Sequence, residues 1–174
     1  MPLPDVGYRR ITFMDAGTID QLYNDESINW MKCAEEALER GANRLVEIGN
    51  FAEKSGVKKI GIAHCVAVQG EMKVVKEFLG RNFEVVSIDC KCGQITKNEM
   101  IGVGGDGVSC NPAGQAFFLA ENNTELNVAM GLCMGHDMVF NQCSKAPVTT
   151  LLVKDRVNKH NAMESIRQIA EKMS

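Results

Sequence analysis

At Lys58–Gln69 the chain reads KKIGIAHCVAVQ, a buried strand carried by Ile60, Ile62 and Ala63 that ends in His64-Cys65 and passes straight into a helical pattern. Three later segments repeat the design, each with cysteine near a strand end or a helix start: VVSIDCKCG at 85–93, SCNP at 109–112 and GLCMGHD at 131–137. Strands that alternate with helices pair in parallel through right-handed crossovers. The expected fold class is therefore α/β: a three-layer α/β/α sandwich around a mainly parallel sheet of about four to five strands, in flavodoxin-like or Rossmann-like order. The flavodoxin-like order 2-1-3-4 puts a ligand crevice at the switch point between strands 1 and 3. Those are the strands that end at Cys65 and Cys133.

Taken in order, residues 1–26 read as an irregular N-terminal arm, because Pro2, Pro4, Gly7 and Gly17 break any period. A short strand is expected at Tyr8–Phe13, and the arm suits a surface or a partner subunit. A single domain then covers 27–174. Ser27 can cap a helix whose apolar face is Ile28, Met31, Ala34 and Leu38. Gly41 or Asn43 interrupts it, and Leu45, Ile48, Phe51 and Ala52 resume the period. Cys33 falls inside this helix and reads as a packing residue.

A helix from about Val66 to Leu79 follows the first strand, with Gly80 as its stop. Phe83–Ile88 is the second strand, and its near-continuous apolar run suggests burial on both faces. The long loop from Asp89 to Cys110 has the character of a functional segment. Asn111-Pro112 opens a helix to Glu121, since asparagine caps and proline suits a first turn. Leu126–Leu132 and Val148–Val153 are further strands, separated by a helix through about Gln142. A last helix begins near Asn161 and puts Ile166, Ile169 and Met173 on one side.

The 174 residues, 45% of them hydrophobic, suffice for one sizeable core. A net charge of −3 argues against nucleic acid as a partner, which requires a concentrated basic face. No apolar run has the length to span a membrane. The start MPLPDVGYRR lacks the basic and apolar regions of a signal peptide, so a cytoplasmic location is expected. In a reducing compartment, the seven cysteines point to metal or thiol chemistry rather than to disulfides.

A thiolate is the metal-binding form of cysteine, and helix N-termini favour it. Cys65, Cys110 and Cys133 stand at expected helix starts, and Cys90 and Cys92 follow the second strand on the same rim. Four thiolates gathered there repel one another unless a cation, or a cluster carrying cationic iron, joins them. Zinc sites usually draw on paired knuckles, and the only close pair here is Cys90-Lys91-Cys92. Ligands spread over separate strand ends suit an iron–sulfur cluster, with zinc as the alternative and idle buried thiols as the plainer one. His64, His136 and Asp137 adjoin the rim as candidate ligands or acid–base groups, or as structural residues. His160 is a further, more distant candidate.

Gly102–Gly107 resembles a phosphate cradle but lacks the lysine, hydroxyl and preceding strand of one. A lid over the cysteine rim is the better expectation. Lys154-Asp155-Arg156 follows the fourth strand and offers a positive group for an anionic ligand, or else a surface charge cluster.

Together IGIAHCV, VVSIDCKCG, the CNP of 110–112, TELNVAMGLCMGHD, SKAPVTTLLVKDRV and HN resemble a family of small cysteine-rich proteins from anaerobic bacteria and archaea. It is catalogued as a domain of unknown function, the one numbered eighteen forty-seven, and described as a predicted metal-binding family. The match runs from about Ser27 to Asn161. The resemblance implies ligands at Cys65, Cys90, Cys110 and Cys133, followed by His136-Asp137 and Lys154-Asp155-Arg156, with Cys92 an extra. Many relatives also carry a cysteine-rich N-terminal segment, which this chain lacks. The resemblance brings no established reaction.

Two classes of function follow. One is a redox or sulfur-handling enzyme acting on a small-molecule or sulfur-containing substrate, with His64, His136, Asp137 or a free Cys92 as candidate catalytic groups. The other is a non-enzymatic metal or cluster carrier, electron-transfer module or sensor with a redox partner. A scaffold of thiols without metal is a third. The irregular arm makes a homodimer a reasonable expectation.

Overall fold

The structure, a computed structural model, describes residues 21–173. Most of the arm, including the strand expected at Tyr8–Phe13, lies outside the described residues. Four parallel strands, β1 (Lys59–His64), β2 (Glu84–Asp89), β3 (Leu126–Met130) and β4 (Val148–Leu152), form one sheet in the order β2-β1-β3-β4. The helices are α1 (Asp25–Ala37), α2 (Arg44–Lys54), α3 (Gln69–Leu79), α4 (Lys97–Ile101), α5 (Pro112–Glu121), α6 (His136–Cys143) and α7 (Ala162–Met173). The expected 2-1-3-4 order is thus the order found.

Strand alternation divides the core. Ile60 and Ile62 of β1 and Leu126, Val128 and Met130 of β3 face α2 and α3, which contribute Ile48, Ala52, Met72, Val75 and Leu79. Ala63 and Ala129 face the other way, onto Ala116 and Leu119 of α5 and Phe140 of α6. The small residues on this second face let α5 sit close: a Cβ at Gly61 would collide with Leu119 and with the Asn127 amide. β2 is half-buried rather than buried on both faces, because it forms an edge of the sheet.

Caps explain the helix starts. α1 begins at Asp25, two residues before the expected start, because Asn24 accepts from Ser27 N at 2.8 Å and is itself the cap. Asn43 caps α2, and Asn111 caps α5 through Gly114 N at 2.8 Å, with Pro112 in the first turn. Val66–Val68 forms a 3-10 turn before α3 starts at Gln69. The long segment after β2 is not structureless: Thr96 and Glu99 form a capping box on α4, and Thr96 bridges Val108 in an antiparallel pair. Among the described residues, no helix is long and apolar enough to cross a membrane.

Candidate thiol centre at the strand rim

β1 and β3 are the neighbours at the switch point, where their following helices leave on opposite faces of the sheet. Cys65 directly follows β1, and its N–H donates to Met130 O at 3.0 Å, extending the β1–β3 ladder by one residue. Its side chain lies beside Gly131, where φ is +62° and an added Cβ would press on Val68 and reach Cys65 Cβ at 3.9 Å. The turn after β3 is therefore shaped to let Cys65 approach.

Cys90 follows β2, and Cys110 precedes α5. Asn111 joins them: its N–H donates to Cys90 O at 2.8 Å, and its side-chain amide donates to Cys92 O at 3.2 Å. Cys90 Sγ and Cys110 Sγ stand 3.7 Å apart. Cys65 interacts with Cys90 in turn, so three of the four expected ligands form a connected group. Cys92 Sγ donates to Asn111 O at 3.5 Å.

Two cations complete the rim. Lys154 Nζ lies 3.4 Å from Cys65 Sγ, and Arg156 Nη2 lies 3.1 Å from Cys133 Sγ. Among the described residues, neither cation forms a salt bridge. Just before them the β3–β4 register shifts between Ala129 and Met130, so that Met130 pairs with Leu152 and Leu151 is the extra residue. Such bulges re-aim the chain beside functional sites.

Charge separates the thiols. Burial pushes the Cys65 thiol up, but the Ala67 N–H and the Lys154 ammonium outweigh it and hold the group below its ordinary value. Burial also drives Cys90 up; despite the Val66 N–H, it and the neighbouring Cys110 and Cys65 thiols bring the value to about 12. Cys92 is raised by burial and by the Asp89 carboxylate. Cys65 is thus lowered and Cys90 raised, the latter chiefly by its burial.

The histidines divide. His64 is 3% exposed, and its Nδ1 lies 3.1 Å from Cys65 O. A carbonyl only accepts, so Nδ1 carries a proton and donates it to Cys65 O. Among the described residues His136 Nδ1 is buried without a hydrogen-bond partner, and Asp137 does not orient that ring. Asp137 instead accepts from Met138 N at 2.8 Å. His160 Nδ1 accepts from Asp155 N at 3.1 Å, which ties it into its own loop.

Sequence reasoning passed over Gln115. It is fully buried on α5, and its Nε2 donates to His64 O at 3.2 Å and Ile88 O at 3.1 Å, clamping the ends of β1 and β2 just before Cys65 and Cys90. The signal was one amide in the inward row of an otherwise apolar helix, AGQAFFLA.

Among the described residues, no three His, Cys, Asp or Glu side chains stand close enough to hold a metal ion as placed. The donor set nonetheless suits a thiophilic metal. Thiolates with cations beside them are soft, anionic ligands, and a tetrahedral zinc with Zn–S near 2.3 Å would set sulfur–sulfur edges of roughly 3.8 Å, close to the Cys90–Cys110 spacing.

The chain matches the family described as "Protein of unknown function (DUF1847)" over residues 10–151. It is also 46% identical over 127 residues to the uncharacterized protein MJ0455 of Methanocaldococcus jannaschii, a match covering 71% of this chain and 66% of that protein's length. No solved structure matches. With cysteines at the strand ends and a family match through β4, the chain belongs to that family of proteins of unknown function.

Proposed function

We propose that this protein binds a metal centre through Cys65, Cys90, Cys110 and Cys133, and that the centre is an iron–sulfur cluster serving a redox or sulfur-handling role. The observation that carries this reading is the 3.7 Å approach of Cys90 and Cys110 at the strand rim, with Lys154 and Arg156 beside the thiols of Cys65 and Cys133. The four cysteines come from the ends of three strands and the start of a helix, a spread better suited to a cluster than to one ion. A thiolate-ligated cluster is anionic overall, and N–H donors to its sulfurs stabilise that charge and raise its potential. Lys154 and Arg156, beside the sulfurs of Cys65 and Cys133, would be such donors.

When bound, such a cluster supplies electron transfer or an iron that coordinates sulfur. The chain's own part is to hold four thiols on a rigid sheet edge, to neutralise them with two cations, and to present the His64 ring beside Cys65. Zinc is the second reading, favoured by the 3.7 Å spacing of Cys90 and Cys110. Anaerobic purification followed by iron, zinc and acid-labile sulfide analysis separates the two. Iron with matching sulfide and a thiolate-to-iron absorption band supports the cluster; one zinc per chain and no colour replaces it with zinc.

A further inference from the structure

Lys154-Asp155-Arg156 sets an acid between two bases. Among the described residues, Asp155 forms a salt bridge with neither of them. Lys154 and Arg156 both reach the thiol rim, at 3.4 Å from Cys65 Sγ and 3.1 Å from Cys133 Sγ. Asp155 reaches α7 instead, as the alternation of side chains along a chain leaving a strand allows.

Both carboxylate oxygens of Asp155 are committed. Oδ1 accepts from the N–H groups of Val157 and Asn158, each at 3.0 Å, and Oδ2 accepts from Ser165 Oγ on α7. Its main chain is held as well: Asp155 N donates to His160 Nδ1 at 3.1 Å, and His160 N donates to Asp155 O at 2.8 Å. Closing that loop takes Lys159 and His160 through φ of +50° and +69°, a left-handed conformation that is costly for residues with a Cβ. Such strain persists where surrounding contacts over-determine it. Asn158 Nδ2 adds further ties to α7, donating to Ser165 Oγ at 2.8 Å and to Gln168 Oε1 at 3.1 Å.

We propose that Asp155, staked to α7 through Ser165, is the positioning residue of the thiol rim: it fixes the loop from which Lys154 and Arg156 reach Cys65 and Cys133, and leaves both cations unpaired for the sulfurs. The proposal rests on the reading of Lys154 and Arg156 as the cations of that rim, and not on which metal the rim holds. The charge of Asp155 and its bonds have opposite consequences. A carboxylate near a thiol disfavours the thiolate, so if charge were its whole contribution, removing it would speed the reaction of Cys65. If Asp155 holds the ammonium of Lys154 in place, removing it slows that reaction. Asparagine in its place drops the charge but keeps an oxygen for the Val157 and Asn158 N–H groups, and its amide can donate to Ser165 Oγ.

The test is the rate of iodoacetamide alkylation at Cys65 in the full-length metal-free protein near neutral pH. Peptide mass spectrometry reads it, with the exposed Cys143 as internal reference. Asp155→Ala is expected to slow Cys65 several-fold, as Lys154→Met does. Ser165→Ala, which cuts only the tether to α7, should slow it less, and Asp155→Asn should match or exceed the wild-type rate. Added to Lys154→Met, Asp155→Ala should change nothing further, because the two act through one contact. General loosening of the fold would instead expose Cys65, which is 7% exposed, and raise its rate in both backgrounds. An unchanged or faster rate in Asp155→Ala overturns the proposal, as does an equal slowing in Asp155→Asn or a further slowing on top of Lys154→Met. A wild type that binds no metal would remove the cluster and leave this result standing.

Discussion

Cys90 Sγ and Cys110 Sγ stand 3.7 Å apart although the residues are twenty positions apart in the chain. Cys110 Sγ donates to Cys90 Sγ, and Asn111, which bonds to the backbone of both Cys90 and Cys92, holds the two segments together. A disulfide needs the sulfurs at about 2.05 Å, so only a small side-chain movement separates the pair from one. Metal-free protein treated with a low-molecular-weight disulfide should therefore lose two thiols and yield linked peptides containing Cys90 and Cys110. Metal-loaded protein should resist. Peptide mapping that finds Cys33 or Cys143 linked instead would show that the spacing does not govern reactivity.

Lys154 stands beside Cys65 and helps hold its thiol below the ordinary value. Lys154→Met removes that help. Near neutral pH the metal-free variant should alkylate at Cys65 several-fold more slowly than wild type, because the thiolate is the nucleophile. Mass spectrometry of the alkylated peptide measures the rate, with Cys143 as an internal reference. An unchanged rate would mean that the ammonium does not activate this thiol.

The two neighbouring thiols have opposite pH signatures. Cys90 is raised in the folded chain to about 12, so its contribution to stability is present below the ordinary thiol value of 9.0 and is lost as pH rises toward 12. Cys65 is lowered, so its contribution is present above 9.0 and is lost as pH falls through its folded value. Thermal unfolding of metal-free protein should show an alkaline decline that Cys90→Ala largely removes and Cys65→Ala does not. An identical alkaline limb in Cys90→Ala would contradict this assignment.

Gln115 donates to the carbonyls of His64 and Ile88. Gln115→Leu keeps the bulk and leaves both buried acceptors without this donor, at a cost of about 1–3 kcal/mol. Urea unfolding should show a lower midpoint with an unchanged slope, and metal should bind more weakly because the strand ends that carry Cys65 and Cys90 are no longer clamped. A variant as stable as wild type would remove the clamp from the account.

Much of the fold was legible because burial in a parallel sheet writes itself as a pattern. Ile60, Ile62, Val128 and Met130 mark one face of the central strands, and Asn111-Pro112 and Asn43 mark helix starts. The convergence of strand ends at the switch point followed from topology, which let Cys65 and Cys133 be named from sequence. What escaped the sequence depends on through-space geometry. The approach of Lys154 and Arg156 to the thiols, and the register slip at Leu151, leave no local signature. Gln115 was hidden in an apolar row, and the Cys90–Cys110 contact spans a loop whose path is set by the Thr96–Val108 bridge.

The central claim is that thiols from separate strand ends hold one metal centre, and metal content tests it most directly. Iron, zinc and labile sulfide should be measured per chain in anaerobically prepared wild type and in Cys65→Ser, Cys90→Ser, Cys110→Ser, Cys133→Ser and Cys92→Ser. The account predicts a bound metal centre in wild type and in Cys92→Ser, with substantial loss or a changed spectrum in each of the other four. Full metal content with an unchanged spectrum in both Cys65→Ser and Cys133→Ser, or no bound metal in wild type, would contradict it.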